Sequence, residues 1–398
     1  MALAWGHEAG SREAVQLSIV IPTFNERDNV RKITELIRSS LRGQPYRYEI
    51  LFMDDSRDDT PFQLQQLAEQ YTEVGYVHRE NGRGLATAVT EGFRRAQGTY
   101  IIVMDADLQH PPELLPLIYR RLTEGTDLVI PSRFVEGGSD GGLNPFRKLV
   151  SWTARMVGQF SMKRLRHISD CTGGYFGLHR QVVDGAELSP IGWKILMEVL
   201  VKGQYESVHE IPYSFVARNS GESKMSMKEQ WNYLRHIGRL VWSSAEDRRF
   251  YLFCFVGLLG VAVNLISLAL LVGLLQIGEL TASVMASFIA MLHNFVWNDR
   301  VTWKGHKHPI IWRRVLQLPQ FMAVSAIGIA ITAFFAQSAL WLSLNVFAGQ
   351  FIGILIAVAW NFTANSRWTW SKAPAKGVKP RAVIKVSREH YPSTSQTI

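Results

Sequence analysis

The first 250 residues alternate short apolar runs with segments of helical composition. LSIVIPTFNE from Leu17, EILFMDD (49–55) and TYIIVMDAD (99–107) are rich in branched apolar residues and end in polar or turn-forming residues. Helical segments are expected at about 29–41, 60–71 and 84–96, and a short strand near 76–78. Continuous apolar strands separated by helices are typical of βαβ units in a mainly parallel sheet. The pattern predicts an α/β domain that binds its ligand at the carboxyl ends of the strands.

The last third of the chain has a different pattern. Residues 251–275 form a run of 25 residues without a charge, and a bilayer span needs about 20 apolar residues. Further apolar runs cover 280–298, about 315–342, and 346–365. A buried globular helix could explain one such run, but four in succession predict an all-α membrane domain of four transmembrane helices.

The net charge of +9 is distributed unevenly along the chain. Residues 1–250 carry no net charge, whereas residues 366–398 carry seven basic residues and one acidic residue. This distribution excludes a basic nucleic-acid-binding protein, whose charge would lie on a folded recognition surface. The two cysteines, Cys171 and Cys254, exclude a disulfide framework and a Cys-based zinc site. The first fifteen residues lack a basic segment followed by an apolar run, so no signal peptide is expected.

The loop charges predict an orientation in the membrane. Arg248 and Arg249 precede the first apolar run, and the loop between the second and third runs holds five basic residues. The other two loops hold no Lys or Arg. By the positive-inside rule, both termini and the α/β domain of this integral membrane protein are expected in the cytoplasm.

Acidic residues follow two of the predicted strands. The carboxylates of Asp105-Ala106-Asp107 can face one cation, and a diphosphate can complete the oxygen ligands of Mg²⁺ or Mn²⁺. Gln109 adds a neutral oxygen. Such a pair alone is more often a solvated loop, but the apolar strand before it favours a metal site. Asp54-Asp55 can accept hydrogen bonds from a ribose or a base, or can form a turn or a helix cap before Thr60.

Basic residues then occur where a diphosphate would need them. Arg133 follows the run DLVIPS, Arg147 and Lys148 follow a glycine-rich stretch, and Arg218 and Lys224 flank the sequence NSGES. A guanidinium matches the geometry of a phosphate, and glycine lets a segment close over a ligand. Each residue alone is a common surface charge, but together they favour phosphate binding.

Several motifs of the chain together resemble those of a known family. The runs IPTFNE, DADLQHPPE, SRF, GGSDGG with RK, PIGWKILMEVL and GESK resemble, in order and spacing, the dolichol-phosphate (polyprenyl-phosphate) mannose synthases. These are family 2 glycosyltransferases of the GT-A fold, and the resemblance covers about residues 17–245. It implies a GT-A (Rossmann-like) nucleotide-sugar domain. The nucleoside site that it implies consists of Pro22, Phe24, Glu26, Met53 and Asp55.

The resemblance also implies roles for the motif residues. Asp105, Asp107 and Gln109 would hold the metal, with Ala106 beside the diphosphate. The cations Arg133, Arg218 and Lys224 would bind donor phosphates, while Arg147 would face the acceptor phosphate. Catalysis itself is assigned to Asp107, Arg133 and Arg147.

The chain departs from the family pattern at three places. The second strand ends DDSRDDT, one residue shorter than DD-x-SPDGT, with Arg57 where proline is common. Pro131 stands where a small residue usually precedes the SR pair. Residues 170–175 read DCTGGY instead of DP-[VT]-SG-[FY]. The first and last departures touch base and acceptor recognition, and therefore bear on substrate identity more than on reaction type.

The membrane half contains a repeat. The pattern N-F-x-x-N-x-R-x-T-W occurs at 294–303 and 361–370, which predicts two helix hairpins related by parallel duplication. The repeated Trp and Arg residues either anchor the helices at the interface or join the Asn residues in holding a lipid phosphate. The segment is similar to GtrA-like membrane domains.

A helix is expected between the two halves. Trp231, Leu234, Gly238 and Val241 fall on one of its faces, and basic residues lie beside them. This helix either lies in the membrane interface or packs on the soluble domain and couples it to the spans.

These observations predict five segments: a flexible N-terminus (1–15), a glycosyltransferase domain (16–225), an interfacial helix (226–247), a GtrA-like four-helix domain (248–370) and a basic cytoplasmic tail (371–398). The expected reaction is metal-dependent, inverting transfer of mannose from GDP-mannose to a polyprenyl (dolichyl) phosphate. Transfer of glucose or an N-acetylhexosamine to the same lipid, or translocation of a lipid-linked sugar, are the alternatives. A processive polysaccharide synthase is disfavoured, because the chain contains no Q-x-x-R-W sequence.

Overall fold

The computed structural model describes residues 14–80, 84–141, 145–215, 227–304, 312, 315–371 and 384–388. The chain divides into two compact units. The first is Met1–Val241 with Arg381–Ile398, and the second is Trp242–Pro380.

The first unit is built on one eight-stranded sheet. Its strands are β1 (Leu17–Thr23), β2 (Tyr48–Asp54), β3 (Val74–His78), β4 (Tyr100–Val103), β5 (Leu128–Ser132), β6 (Phe176–His179), β7 (Ser207–Pro212) and β8 (Lys385–Arg388). Its helices are α1 (Val30–Ser40), α2 (Thr60–Gln70), α3 (Leu85–Arg95), α4 (Leu115–Thr123), α5 (Pro145–Ser161), α6 (Ile195–Lys202) and α7 (Met227–Ser243). The strand order is β3-β2-β1-β4-β6-β5-β7-β8.

The sheet is mainly parallel, as the sequence predicts. The strands β1 to β4 are mutually parallel, and only β6 runs antiparallel, between β4 and β5. All seven residues of β1 are buried, because helices cover both faces of the sheet. On α1, Val30, Ile33 and Ile37 are buried at the spacing of one helical face. The α/β fold, GT-A-like in its sheet, is therefore confirmed.

Four strands differ from the prediction, and two of them, β6 and β7, were not expected from the sequence. The strand expected over 99–107 ends at Val103, because the next turn leaves the sheet. The strand β8 was not predicted at all. It lies in the basic segment after the membrane spans and pairs with the outer edge of β7.

The helix α7 packs on the first unit. Its Tyr233 hydroxyl donates to the Ala154 carbonyl, and Nε2 of His236 lies 3.0 Å from Oε2 of the buried Glu198. Trp231 and Leu234 are exposed, whereas Val241, which was expected on their face, is buried. These contacts pack α7 on the soluble domain, and Trp231 and Leu234 form an exposed apolar face.

The second unit contains four long apolar helices, α8 (Ala245–Gly273), α9 (Glu279–Trp297), α10 (Gln317–Trp341) and α11 (Val346–Ala364). π-Helical turns extend α9 and α11, over Asn298–Thr302 and Asn365–Thr369. By length and composition, all four helices are able to cross a membrane. The prediction of four helices long and apolar enough to cross a membrane is confirmed within the described residues.

The sequence repeat corresponds to a repeated structure. In each copy the Thr hydroxyl donates to the Asn side chain one turn earlier, from Thr302 to Asn298 and from Thr369 to Asn365, both at 2.7 Å. The two closing tryptophans, Trp303 and Trp370, stack at 4.3 Å with ring planes 5° apart. The second Asn of each copy is thus buried in packing contacts of the repeat, while its Arg residue is exposed.

Each hairpin also brings an Asn against a glycine. A Cβ added to Gly260 would lie 2.2 Å from Oδ1 of Asn294, and one added to Gly328 would lie 2.6 Å from Nδ2 of Asn361. The glycines therefore allow close approach of the paired helices, as small residues do in membrane helix packing.

This contact yields a stability prediction. We expect Gly260→Leu to destabilise the purified protein by about 1–3 kcal/mol, because the added side chain overpacks the helix pair. Gly257→Leu is the matched control, since a Cβ there has no atom within 4 Å. Thermal unfolding in detergent measures the difference, and equal melting temperatures for the two variants would contradict the packing role of Gly260.

Candidate active site

The candidate site lies where parallel strands end. The strand β1 pairs with β2 as far as Thr23 and Asp54, but with β4 only as far as Val20 and Val103. Because β4 leaves the sheet three residues before its neighbour β1 ends, the chain that follows β4 lies at the carboxyl edge of the sheet. Ligands bind at this edge in open α/β sheets. The acidic residues after β2 and β4 are thereby placed at the same edge.

A small cavity lies beside the end of β2. Its volume is about 120 Å³, and it is lined by Phe24, Asp55, Ser56, Arg57, His78, Arg79, Glu80 and Gly84. The Arg79 guanidinium donates to both oxygens of Asp55, at 2.7 and 2.6 Å. This bidentate pair fixes the carboxylate in the cavity wall. Phe24 and Asp55, two of the five expected nucleoside-binding residues, therefore share this cavity.

The other three expected nucleoside residues lie outside its lining. Pro22 and Met53 are buried neighbours in paired strands. Glu26 lies at the start of α1, where its carboxylate accepts a hydrogen bond from Asn29 at 2.7 Å.

Asp54 has a structural position. It is fully buried, and its two oxygens contact the Ser56 hydroxyl and Nδ1 of His78, the latter at 2.6 Å. The backbone N–H of Thr60 instead donates to Asp58, at 3.0 Å. Asp55 thus forms part of the cavity wall, and Asp54 supports that wall through Ser56 and His78. Neither residue caps α2.

The carboxylate motif is held by a tight turn. The backbone N–H of Asp105 donates to Nδ1 of His110 at 3.0 Å, and that of Gln109 donates to Asp107 at 3.2 Å. Leu108 adopts a left-handed conformation with φ of 63°, which is uncommon for a residue with a branched side chain and is concentrated at functional sites. Ala106 is buried beneath the turn.

An aromatic wall supports this turn. The buried His110 ring stacks on Tyr175 at 5.0 Å, and the Tyr175 hydroxyl donates to the Pro111 carbonyl at 3.0 Å. A Cβ added to Gly174 would lie 3.0 Å from Oδ2 of Asp105 and 3.4 Å from Cε1 of His110. Gly174 therefore leaves the space that the Asp105 carboxylate and the His110 ring occupy.

The donor set suits a hard divalent cation. Asp105, Asp107 and Gln109 supply carboxylate and amide oxygens, the ligands that Mg²⁺ and Mn²⁺ prefer. Among the described residues there is no cluster of three or more His, Cys, Asp or Glu side chains able to hold a metal. Two carboxylates with a neutral oxygen fit an ion whose remaining ligands come from a diphosphate or water.

Of the basic residues expected to bind phosphate, Arg133 and Lys148 have side chains within the described part of the chain, and Lys148 pairs with Asp140 at 3.0 Å. Arg133 is the more buried of the two. Its Nε donates to the fully buried Asp170 at 3.0 Å, and only 12% of its side chain is exposed. Burial alone would lower the pKa of Arg133, but the charge and hydrogen bond of Asp170 raise it above the usual value. The guanidinium is therefore a permanent buried cation.

The remaining predicted cations are described less fully. Arg147 lies in α5, and its side chain is outside the described residues, as are Arg218 and Lys224 entirely. The chain enters the segment that carries these last two from Phe215, whose N–H donates to the Ser139 carbonyl at 2.9 Å.

Three residues at the site were not assigned by the sequence analysis. Asp170 pairs with Arg133, His110 positions Asp105, and Lys194 donates to the Thr172 carbonyl at 2.9 Å. Burial lowers the pKa of Lys194, and the nearby Asp170 carboxylate opposes that shift. His110 and Lys194 lie within motifs that carry the family resemblance, whereas Asp170 begins the DCTGGY segment that departs from the family pattern. The contacts of Asp170 and Lys194 join distant segments, and that of His110 closes a local turn.

The turn yields a prediction about His110. We expect His110→Gln to lower activity about 10- to 100-fold, as loss of a group that orients a metal ligand does. His110→Asn should retain most activity, because its Oδ1 occupies the position of Nδ1 and accepts from the Asp105 N–H, whereas the Gln amide lies one methylene farther from the backbone and away from that position. Mn²⁺ titration and thermal unfolding of both variants separate positioning from folding. Equal affinities for Mn²⁺ would contradict this role.

Comparison with known proteins supports the sequence resemblance. The Glycosyl transferase family 2 domain matches residues 18–185, and the GtrA/DPMS transmembrane domain matches residues 252–374. Among solved structures, the chain is similar to glucosyl-3-phosphoglycerate synthase from Mycobacterium tuberculosis, with a TM-score of 0.44, 18% identity, and coverage of 57% of this chain and 79% of that one. The chain is also similar to mannosyl-3-phosphoglycerate synthase from Rubrobacter xylanophilus, with a TM-score of 0.45, 20% identity, and coverage of 57% of this chain and 74% of that one.

One curated relative covers most of the chain. It is 37% identical to a dolichol-phosphate mannosyltransferase of Pyrococcus furiosus, over 90% of this chain and 100% of that protein. It is 32% identical to the dolichol-phosphate mannosyltransferase of Saccharomyces cerevisiae, over 57% of this chain and 87% of that protein. The first match spans both the sheet and the membrane helices. The chain therefore belongs to the dolichol-phosphate mannosyltransferase family of glycosyltransferases.

Proposed function

We propose that this enzyme transfers mannose from GDP-mannose to a polyprenyl (dolichyl) phosphate at the cytoplasmic face of a membrane. The observation that carries the proposal is the placement of the Asp105–Asp107 turn and the small cavity beside β2 at the same edge of the sheet. A nucleotide sugar needs both, one for its nucleoside and the other for its diphosphate. Family membership specifies the acceptor class.

The donor is proposed to bind across these two features. Phe24 and Asp55 contact the nucleoside at the cavity, while Pro22, Glu26 and Met53 form its surroundings. Arg57 lies in the cavity lining, where the family has proline, so it contributes to base recognition in this chain.

The diphosphate is proposed to lie over the carboxylate turn. Asp105, Asp107 and Gln109 hold Mg²⁺ or Mn²⁺, and Ala106 leaves room for the phosphates. Such an ion neutralises charge on the leaving diphosphate. Arg133, Arg218 and Lys224 add positive charge directed at the same phosphates, and positive charge fixed before reaction stabilises a leaving group without reorganisation.

The acceptor explains why the site needs no strong base. A phosphate monoester is already anionic at neutral pH, so its oxygen can attack the anomeric carbon without losing a proton to the protein. Arg147 orients that phosphate by a charge-assisted pair. Attack opposite the leaving diphosphate inverts the anomeric centre.

The path of the chain supports placing the residues before and after the four helices on the same side of the membrane. The first unit includes residues before and after the four helices, and β8 pairs with β7 in its sheet. Four crossings return a chain to the side from which it left. Because basic residues concentrate in the loops on that side, we assign it to the cytoplasm.

The proposal predicts which label reaches the lipid. Membranes containing the full chain are incubated with polyprenyl phosphate, Mg²⁺ or Mn²⁺ and labelled GDP-mannose, UDP-glucose or UDP-N-acetylglucosamine. Label from GDP-mannose alone should enter the lipid extract. Transfer from either uridine nucleotide in its place would favour the glucosyl or N-acetylhexosaminyl alternative, and absence of transfer from all three would favour a translocator.

The metal site is tested in the same assay. We expect Asp107→Ala to abolish transfer and chelator to abolish it in the unchanged protein, because diphosphate charge is then left unneutralised. Asp28→Ala is the control, since that side chain is 85% exposed on the surface. Full activity of Asp107→Ala in chelator would refute a metal-dependent mechanism.

A further inference from the structure

The strand after the membrane spans completes the catalytic sheet. The strand β8 pairs in parallel with β7, placing Lys385 opposite Ser207 and Arg388 opposite Glu210. The N–H of Lys385 donates to the Glu206 carbonyl at 2.9 Å. The edge that β7 would otherwise present is thus covered by residues from the far end of the chain.

Arg388 connects this strand to a buried carboxylate. Its Nε donates to Oε2 of Glu210 at 3.1 Å, and its Nη2 donates to the His167 carbonyl at 3.2 Å. Glu210 is fully buried, whereas the Arg388 side chain is 57% exposed. The arginine therefore bridges β7 to the loop that begins near His167.

The other oxygen of Glu210 holds that same loop. Oε1 accepts from the Ser169 N–H at 2.7 Å and from the Ser169 hydroxyl at 2.6 Å, with the Asp170 N–H at 3.4 Å. Asp170 in turn accepts from Arg133 at 3.0 Å. One continuous set of hydrogen bonds runs from Arg388 through Glu210 and the 167–170 loop to Arg133.

We propose that the segment after the membrane spans positions the active-site arginine, with Arg388 acting through Glu210 and Asp170 on Arg133. This rests on the proposed function only in taking Arg133 as a phosphate ligand. Arg388 is a positioning residue and contacts no substrate. The catalytic sheet then reaches its working arrangement only when the residues that follow the membrane domain have returned to its edge.

Arg388 can position the loop because the two carboxylate oxygens of Glu210 bind different partners. With Arg388 present, each oxygen has a defined partner, so the carboxylate plane and the loop bound to it are fixed. Without it, Oε2 loses its charge-assisted bond and the carboxylate can rotate, which loosens the Ser169 and Asp170 amides. Because Arg388 is largely exposed, its contribution to overall stability is small. Its removal should therefore alter the site more than the fold.

The test compares Arg388→Ala with Lys385→Ala in the full chain. Lys385 lies on the same strand with its side chain exposed, so this control preserves the strand pairing and removes an equal charge. Amide hydrogen exchange over residues 167–171 should accelerate severalfold in Arg388→Ala and remain unchanged in Lys385→Ala. Equal exchange in the two variants overturns the proposal. This readout needs no substrate, so it is independent of donor identity.

Kinetics and a double variant show whether the effect reaches Arg133. With the donor that the unchanged protein uses, Arg388→Ala should lower kcat/KM about tenfold, since small displacements of a positioned group reduce rates strongly. In an Asp170→Asn background, Arg388→Ala should cause no further loss, because the connection is already broken. Arg388→Lys should restore part of the activity. Independent, multiplicative effects of the two substitutions would overturn the proposal, and lack of transfer by the unchanged protein would refute the proposed function instead.

Discussion

The buried pairing of Arg133 with Asp170 is the constraint around which the catalytic unit is arranged. A buried charge is tolerated only when paired and hydrogen-bonded, and removing one partner of such a pair is costly. Asp170 must therefore be held in place, which Glu210 does through the preceding residue and the loop backbone. Burial and the Asp170 charge raise the pKa of the neighbouring Cys171 to about 12, so its thiol remains neutral beside this network. Strands β5, β7 and β8 all contribute to keeping one guanidinium oriented.

The carboxylate turn, unlike Arg133, is held mainly by contacts within a short stretch of the chain. Its geometry comes from local backbone, in the left-handed Leu108 and the short turn from Asp105 to His110. Aromatic stacking behind the turn then limits its movement. A site that must bind a diphosphate thus combines a preformed acidic turn with a cation held by contacts from distant segments. Both lie at the carboxyl edge because the turn follows β4, Arg133 follows β5, and these two strands run in the same direction.

The sequence predicted the parts of the fold whose signal is local. The apolar runs of β1 and β2 and the four long apolar helices are continuous enough to be recognised directly, and the repeat predicted two related helix hairpins. The stacking of Trp303 on Trp370 was not predicted. The strand β8 has no such pattern, because Lys385–Arg388 contains only one apolar residue and forms a strand only by pairing with β7.

Site residues follow the same division. Asp105 and Asp107 could be identified from their spacing and the strand before them. Asp170, Lys194 and His110 could not be given roles, because their significance lies in contacts with Arg133, Thr172 and Asp105. Val241 was misplaced for a related reason, since periodicity gives a helical face but not the surface that covers it.

The most direct test of the central claim is the chemical identity of both products. Purified enzyme is incubated with GDP-mannose and a polyprenyl phosphate, and the lipid and nucleotide products are analysed together by mass spectrometry. Attack of the acceptor phosphate on the anomeric carbon predicts a lipid monophosphate carrying one hexose, with an equal amount of GDP. A lipid diphosphate sugar with GMP, or free mannose without a lipid product, would contradict it.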